Sequence, residues 1–327
     1  MTGPATKTTE RLAAGVVGVG AMGDNHARVY SELPSVSLAG VCDVDRGRAE
    51  TVAESYGTSA HTRSDLLSRC DLVSVAVPTA QHVEVVADCL EAGVHVLVEK
   101  PLAQSLEKGR SLAKQASDSG LVLQVGHVER FNPAVETLAE YLDGLDVVAV
   151  DAQRLGPPVE RTDTNGVTID LMIHDVDVIT SLLEATPGTI SGAVTRDRRY
   201  ATASLEFDSG VIATLTASRL TKRKVRRLAV TARECYIEVD YLDQSVTVHR
   251  DSYPEYISDD GRSRFRYESV IERPRVPTEE PLRRELAAFI SAVKRGEPPV
   301  VSAEDGLDAL AIVRRIDETA GIVGGTL

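Results

Sequence analysis

Only seven of the 36 basic residues are lysines, and one of them, Lys100, stands in "VLVEKPLA" (96–103) directly after an apolar run that reads as a buried strand. Desolvating an ammonium there is costly unless it has a partner or a task. A second group lies in "TIDLMIHDVDVI", where Asp170, His174 and Asp177 recur at i, i+4 and i+7. On a helix those positions share one face. A histidine oriented by a carboxylate suits proton transfer. The third group is Gly18-x-Gly20-x-x-Gly23. In such a loop the first glycine permits a tight turn, the second lets backbone approach a pyrophosphate, and the third lets helix pack on strand.

Each group has a plainer reading. Lys100 can snorkel from a strand end to pair with Glu99. The Asp/His face can be a satisfied buried network, or two ligands of a metal site, although no third ligand is evident and no metal is expected. The glycine loop gains weight from its context. It sits between an apolar strand and a helix, and the next strand ends in "VCDVD", which puts Asp43 twenty residues past Gly23. An acid there binds the adenosine ribose and repels a 2′-phosphate. NAD is therefore the expected cofactor, while Arg46 and Arg48 leave NADP open.

The elements that must position these groups follow from periodicity. Residues 14–125 alternate short apolar runs with amphipathic stretches, the rhythm of βαβ units and a parallel sheet. Ligands of such sheets lie beyond the carboxyl ends of the strands. That crevice would receive the loop residues Gly18, Gly20, Ala21, Met22 and Gly23 and the strand-end residues Val77, Pro78 and Thr79. His82, Glu99 and Lys100 would lie there too. After about residue 130, runs such as "ATASLEF", "GVIATLTASR" and "CYIEVDYL" alternate as antiparallel strands do. The expected fold class is α/β: an N-terminal Rossmann domain with a parallel sheet (1–128), then an α+β domain with a large, open, mostly antiparallel sheet (129–327). The two C-terminal helices are candidates to pack back on the first domain.

A formal net charge of −13 argues against a nucleic-acid surface. The one basic cluster, "RLTKRKVRR" (219–227), reads more easily as a solvated strand edge than as a polyanion site. Cys42, Cys70, Cys89 and Cys235 fall at no metal spacing and suit reduced residues of a cytoplasmic protein. The apolar run after residue 11 is too short to span a bilayer, so no membrane partner is expected.

The order Gly-x-Gly-x-x-Gly, Glu-Lys-Pro, Asp-x-x-x-His resembles the Gfo/Idh/MocA family of sugar oxidoreductases over nearly the whole chain. The resemblance implies that Lys100, Asp170 and His174 flank the nicotinamide and the sugar. It also implies a homodimer or homotetramer assembled through the open sheet. Two further runs, "QVGHVERFNPAV" (124–135) and "RLGPPVERTDTNGVTIDLMIHDVD" (154–177), resemble the branch of that family that oxidises UDP-N-acetylglucosamine at C3. That narrower resemblance implies a nucleotide-sugar substrate met by His127, Arg130, Asn132, Arg154 and Arg161, the arginines facing its diphosphate. Another nucleotide sugar, a free sugar or inositol is the alternative within the family. A non-catalytic NAD and sugar sensor is the alternative outside it.

Overall fold

The computed structural model describes residues 11–158, 166–251, 255–259, 262–266 and 269–322. The chain forms two compact units, one running up to Gly126 and including Leu282–Leu307, the other comprising His127–Pro281 and the residues from Asp308 onward.

In the first unit β1 (Leu12–Val17), α1 (Ala21–Glu32), β2 (Val36–Cys42), α2 (Arg46–Ser55), α3 (Arg63–Leu67) and β3 (Leu72–Val75) follow in order. They continue into α4 (Thr79–Glu91), β4 (His95–Glu99), α5 (Leu106–Ser119) and β5 (Leu123–Gly126). The five strands pair in parallel in the order β2-β1-β3-β4-β5. Their sequences are short apolar runs because both faces of such a sheet are covered; all four residues of β3 are buried. Helix α5 starts where the Ser105 side chain accepts from Lys108 N and stops at Gly120, whose φ of 66° ends the helix in the left-handed region.

The second unit contains α6 (Pro133–Leu142), β6 (Val147–Leu155), α7 (Ile173–Leu183), β7 (Thr189–Val194), β8 (Tyr200–Glu206) and β9 (Ile212–Ser218). It goes on through β10 (Val225–Ala232), β11 (Tyr236–Asp240), β12 (Ser245–Asp251), β13 (Glu255–Asp259), β14 (Arg262–Arg266) and β15 (Ser269–Glu272). Eight strands form one sheet, β15-β12-β11-β10-β6-β9-β8-β7, and β13 pairs with β14 as a separate hairpin. All neighbours in the large sheet are antiparallel except β6 and β9. One face buries Val150, Leu215, Leu228, Val230, Ile237 and Val239, with α6 against β11 and β12 and α7 against β6. The other face presents Asp151, Gln153, Thr214, Arg227 and Glu238 together with the exposed Ile212, Tyr236 and Ile271, so it mixes polar and apolar groups.

The chain ends in α8 (Pro281–Arg295) and α9 (Ala303–Thr319). Leu282, Leu286, Phe289 and Ile290 recur at helical spacing on the buried stripe of α8, which belongs to the first unit. The sequence boundary at residue 128 thus meets a first unit that also takes in this later segment. Among the described residues, no helix is long and apolar enough to cross a membrane.

Candidate active site

The glycine loop leaves the end of β1 and enters α1 at Ala21. Gly18 has φ +85°, and a Cβ on Gly23 would lie 1.8 Å from the Gly18 carbonyl oxygen, so both positions require glycine. A Cβ on Gly20 would meet nothing within 4 Å. The loop therefore closes tightly on itself and stays open at the one residue where a pyrophosphate must approach the backbone. Ala21, Met22 and Gly23 form the first turn of α1, whose N–H groups and dipole favour an anion. The residues present fit a dinucleotide.

Beside the loop lies a cavity of about 770 Å³, lined by Gly18, Gly20, Asp43, Val77 and Pro78 among others. Asp43 is pinned within it, accepting from Val19 N at 2.8 Å and from Asp45 N at 2.8 Å. Arg48 approaches the same carboxylate at 3.5 Å and remains half exposed. His61, Thr62 and Arg63 complete the far wall and were not found from sequence. They reach it through a single parallel bridge between Val41 and Ala60, a long-range pairing with no local signature.

Cys42 also lines this cavity. Burial pushes its thiol up to about 11 and those of Cys70 and Cys89 up to about 12. They stay protonated and poorly nucleophilic at neutral pH.

At the end of β4, Lys100 is partly exposed rather than fully buried, and its bond to Pro101 is cis. Glu99 is held from behind. Its Oε1 lies 3.0 Å from His26 Nε2, His26 Nδ1 lies 2.9 Å from Ser74 Oγ, and Ser74 Oγ lies 2.9 Å from the Tyr30 hydroxyl. A carboxylate only accepts, so His26 Nε2 carries the proton and donates to Glu99. Burial alone would raise the Glu99 carboxyl; the hydrogen bond and charge of His26, together with Lys100, outweigh it and hold the pKa below its ordinary value. His82 faces two carbonyls, Pro101 O at 2.8 Å and Val77 O at 2.9 Å. A neutral imidazole carries one N–H, so His82 donates to one of these carbonyls and packs against the other, lying between the β3–α4 turn and the Glu-Lys-Pro turn. Thr79 is the first residue of α4, after Pro78 at its N-cap.

In the second unit the Asp/His helix differs from a regular one. Thr168–Met172 forms a π-helical turn and α7 begins at Ile173. Such turns re-aim side chains and recur at functional sites. Asp170 and His174 remain partly exposed, whereas Asp177 is buried. The three polar residues thus divide by environment. Asp177 accepts two bonds from Arg130, at 2.8 and 3.0 Å, and Asp170 is ion-paired with Arg219.

The run from His127 to Asn132 packs against α7. The His127 ring meets that of His174 edge-on at 6.3 Å, and its Nδ1 lies 3.8 Å from Asp177. Arg154 is 3% exposed and binds Asp175 through Nε and Nη2 and Glu129 through Nη1 at 2.6 Å, with its guanidinium over the Tyr241 ring. Burial would lower its pKa, but the carboxylates of Asp175 and Glu129 outweigh that and keep it firmly charged. Asn132 caps α6 by accepting from Ala134 N and donates to Tyr241 O. Arg130, Asn132 and Arg154 therefore spend polar atoms inside the fold. Arg161 lies outside the described residues.

Comparison with known proteins agrees with this architecture. Residues 12–127 match the family model described as "Oxidoreductase family, NAD-binding Rossmann fold", and residues 147–238 match that of the GFO/IDH/MocA C-terminal domain. The chain is 35% identical to UDP-N-acetylglucosamine 3-dehydrogenase of Acidithiobacillus ferrooxidans, over 73% of this chain and 77% of that protein. It is 27% identical to inositol 2-dehydrogenase of Rhizobium meliloti, over 91% and 93% of the two. A solved structure of the Acidithiobacillus enzyme superposes with a TM-score of 0.85 at 29% identity, covering 96% of this chain and 99% of that one. A glycine loop that leaves room for a dinucleotide to approach its backbone, and family matches in both units, lead to one assignment: the chain is an oxidoreductase of the Gfo/Idh/MocA family, with an NAD-binding Rossmann fold followed by that family's C-terminal domain.

Proposed function

We propose that the protein oxidises the C3 hydroxyl of UDP-N-acetylglucosamine with NAD, giving a 3-keto nucleotide sugar for a later amination or stereoinverting reduction. The observation that carries this reading is the 35% identity to a UDP-N-acetylglucosamine 3-dehydrogenase over 77% of that enzyme. When bound, the nicotinamide supplies the hydride acceptor. His174 takes the hydroxyl proton, with Asp170 orienting it or the sugar. Lys100, as an ammonium, stabilises the oxygen as negative charge develops on it; Glu99, kept ionised by His26, favours that charged form. An exchange of roles, with Lys100 as base, is the alternative chemistry. Asp43 selects NAD by meeting the ribose hydroxyls. Because Arg130 and Arg154 are engaged with aspartates of α7, their role in this reading is to position that helix, and Asn132 holds the start of α6.

Inositol is the second reading, favoured by 27% identity to an inositol 2-dehydrogenase over 91% of this chain. The test is the near-ultraviolet absorbance of reduced nicotinamide on mixing protein, NAD and each substrate. A rise with UDP-N-acetylglucosamine, absent with free N-acetylglucosamine and lost in Lys100→Met, supports the first reading. A rise with myo-inositol alone overturns it. Extraction of bound nucleotide separates a flat trace caused by retained NADH from true inactivity.

A further inference from the structure

The basic cluster Arg219–Arg227 is not a strand edge. It is the turn between β9 and β10 plus the start of β10, and β10 lies inside the sheet, between β6 and β11. Arg226 stands directly opposite Arg154 in the register of β10 and β6. Cross-strand partners point to the same face, here the face that α7 covers. Two guanidiniums opposite each other are unfavourable unless anions compensate them. Arg154 has two carboxylates, Asp175 and Glu129. Arg219, at the start of the turn, is ion-paired with Asp170. For Arg226 the hydrogen bonds are to carbonyls, Leu155 O at 3.2 Å and Val225 O at 3.3 Å, which orient the side chain, while Asp175 and Glu129 act on it through space as charges shared with Arg154. The turn itself is anchored by Thr221, whose hydroxyl donates to Gly156 O, and it carries the exposed Lys222, Arg223 and Lys224.

We propose that Arg226, with Arg219 beside it and the basic turn as its rim, is the binding site for the diphosphate of a nucleoside-diphosphate sugar. The inference deepens the function proposed above and rests on it. Its logic is one of elimination within the second unit. Arg130 and Arg154 are committed to Asp177, Asp175 and Glu129, whereas Arg226 is a half-buried, pre-oriented cation whose neighbour Arg219 is ion-paired with the aspartate proposed to serve the sugar. Burial and the neighbouring Arg154 bring the Arg226 pKa down to about 10 although Asp175 and Glu129 pull it up, so the carboxylates that hold Arg154 compensate Arg226 only in part and an arriving anion would stabilise it. Charge-assisted hydrogen bonds to phosphate oxygens are among the strongest a protein makes.

The experiment is calorimetric titration of the full chain, saturated with NAD so that the glycine loop is filled, with UDP and separately with inorganic pyrophosphate. Wild type, Arg226→Gln and Arg226→Lys are compared, with NAD affinity as the control for folding and steady-state kinetics on UDP-N-acetylglucosamine alongside. Loss of one charged hydrogen-bond partner should weaken UDP and pyrophosphate roughly tenfold or more in Arg226→Gln. The KM for the nucleotide sugar should rise far more than kcat falls, and Arg226→Lys should recover part of the loss. Unchanged UDP affinity in Arg226→Gln, in an enzyme that uses the UDP sugar, overturns the site and leaves the function standing. Arg226-dependent UDP binding without oxidation of UDP-N-acetylglucosamine keeps the site and overturns the sugar. A wild type that binds neither UDP nor pyrophosphate overturns both.

Discussion

The two units each hold a candidate catalytic residue in place with buried polar groups, but by different means. In the first, Glu99 is backed by a hydrogen-bonded chain through His26, Ser74 and Tyr30, each fully buried. In the second, α7 is clamped by full charges, Arg154 on Asp175 and Glu129 and Arg130 on Asp177. A chain that ends in two hydroxyls can lose its outer member and retain most of its satisfaction. A buried ion cluster cannot, because the charge left behind keeps its desolvation cost. The helix that carries His174 is therefore more fragile to substitution than the turn that carries Lys100.

The largest effect should come from Arg154→Met. It leaves the buried Asp175 carboxylate without its bidentate partner and should cost about 3–5 kcal/mol of unfolding free energy in urea titration. Adding Asp175→Asn should recover part of that loss; a double variant as unstable as the sum of the singles would break the clamp account. Next, His26→Asn removes both bonds of the histidine in this chain and should cost about 1–3 kcal/mol. It should also lower kcat and shift the acid limb of its pH profile, because Glu99 loses the group that keeps it ionised. A pure stability loss with an unmoved profile would make His26 merely structural.

Smaller is Tyr30→Phe, which deletes one terminal hydroxyl and should cost about 0.5–1.5 kcal/mol. The pH dependence of stability sharpens the contrast further. Burial lowers the His82 pKa below 6.5 against the pull of its two carbonyls, and Glu99 lies below 4.5. Both groups bind protons more readily when unfolded, so both contribute stability at neutral pH that is lost on acidification. The His82 part should erode below about pH 6.5, the Glu99 part only below about pH 4.5. In His82→Gln the upper step should vanish from the melting temperature measured between pH 7 and 5. Its persistence would assign it elsewhere.

The glycine loop, Asp43 and the parallel sheet could be read from sequence because each is fixed by residues close together in the chain. The middle strand of the large sheet, β6, was not read, since its place between β9 and β10 depends on partners about 60 and 75 residues away. The arginines were legible as cations but not as to what they bind. Arg154 and Arg130 found buried aspartates on α7, a choice made by packing that no spacing rule encodes. Asp177 shared a helical period with Asp170 and His174, yet the π-turn and Arg130 gave it a different environment.

One edge of the first unit carries a consequence for how the chain comes to be folded. Val125 N, on β5, donates to Val301 O, which places a late segment beside the last strand of the parallel sheet. During synthesis β5 is complete long before residue 301 leaves the ribosome. For the time needed to make some 175 intervening residues, roughly ten to thirty seconds at common elongation rates, that strand is an open edge able to pair with another chain. The nascent protein should therefore be at its most aggregation-prone between the emergence of Gly126 and that of Val301, and a chain cut short before α8 should keep that liability permanently.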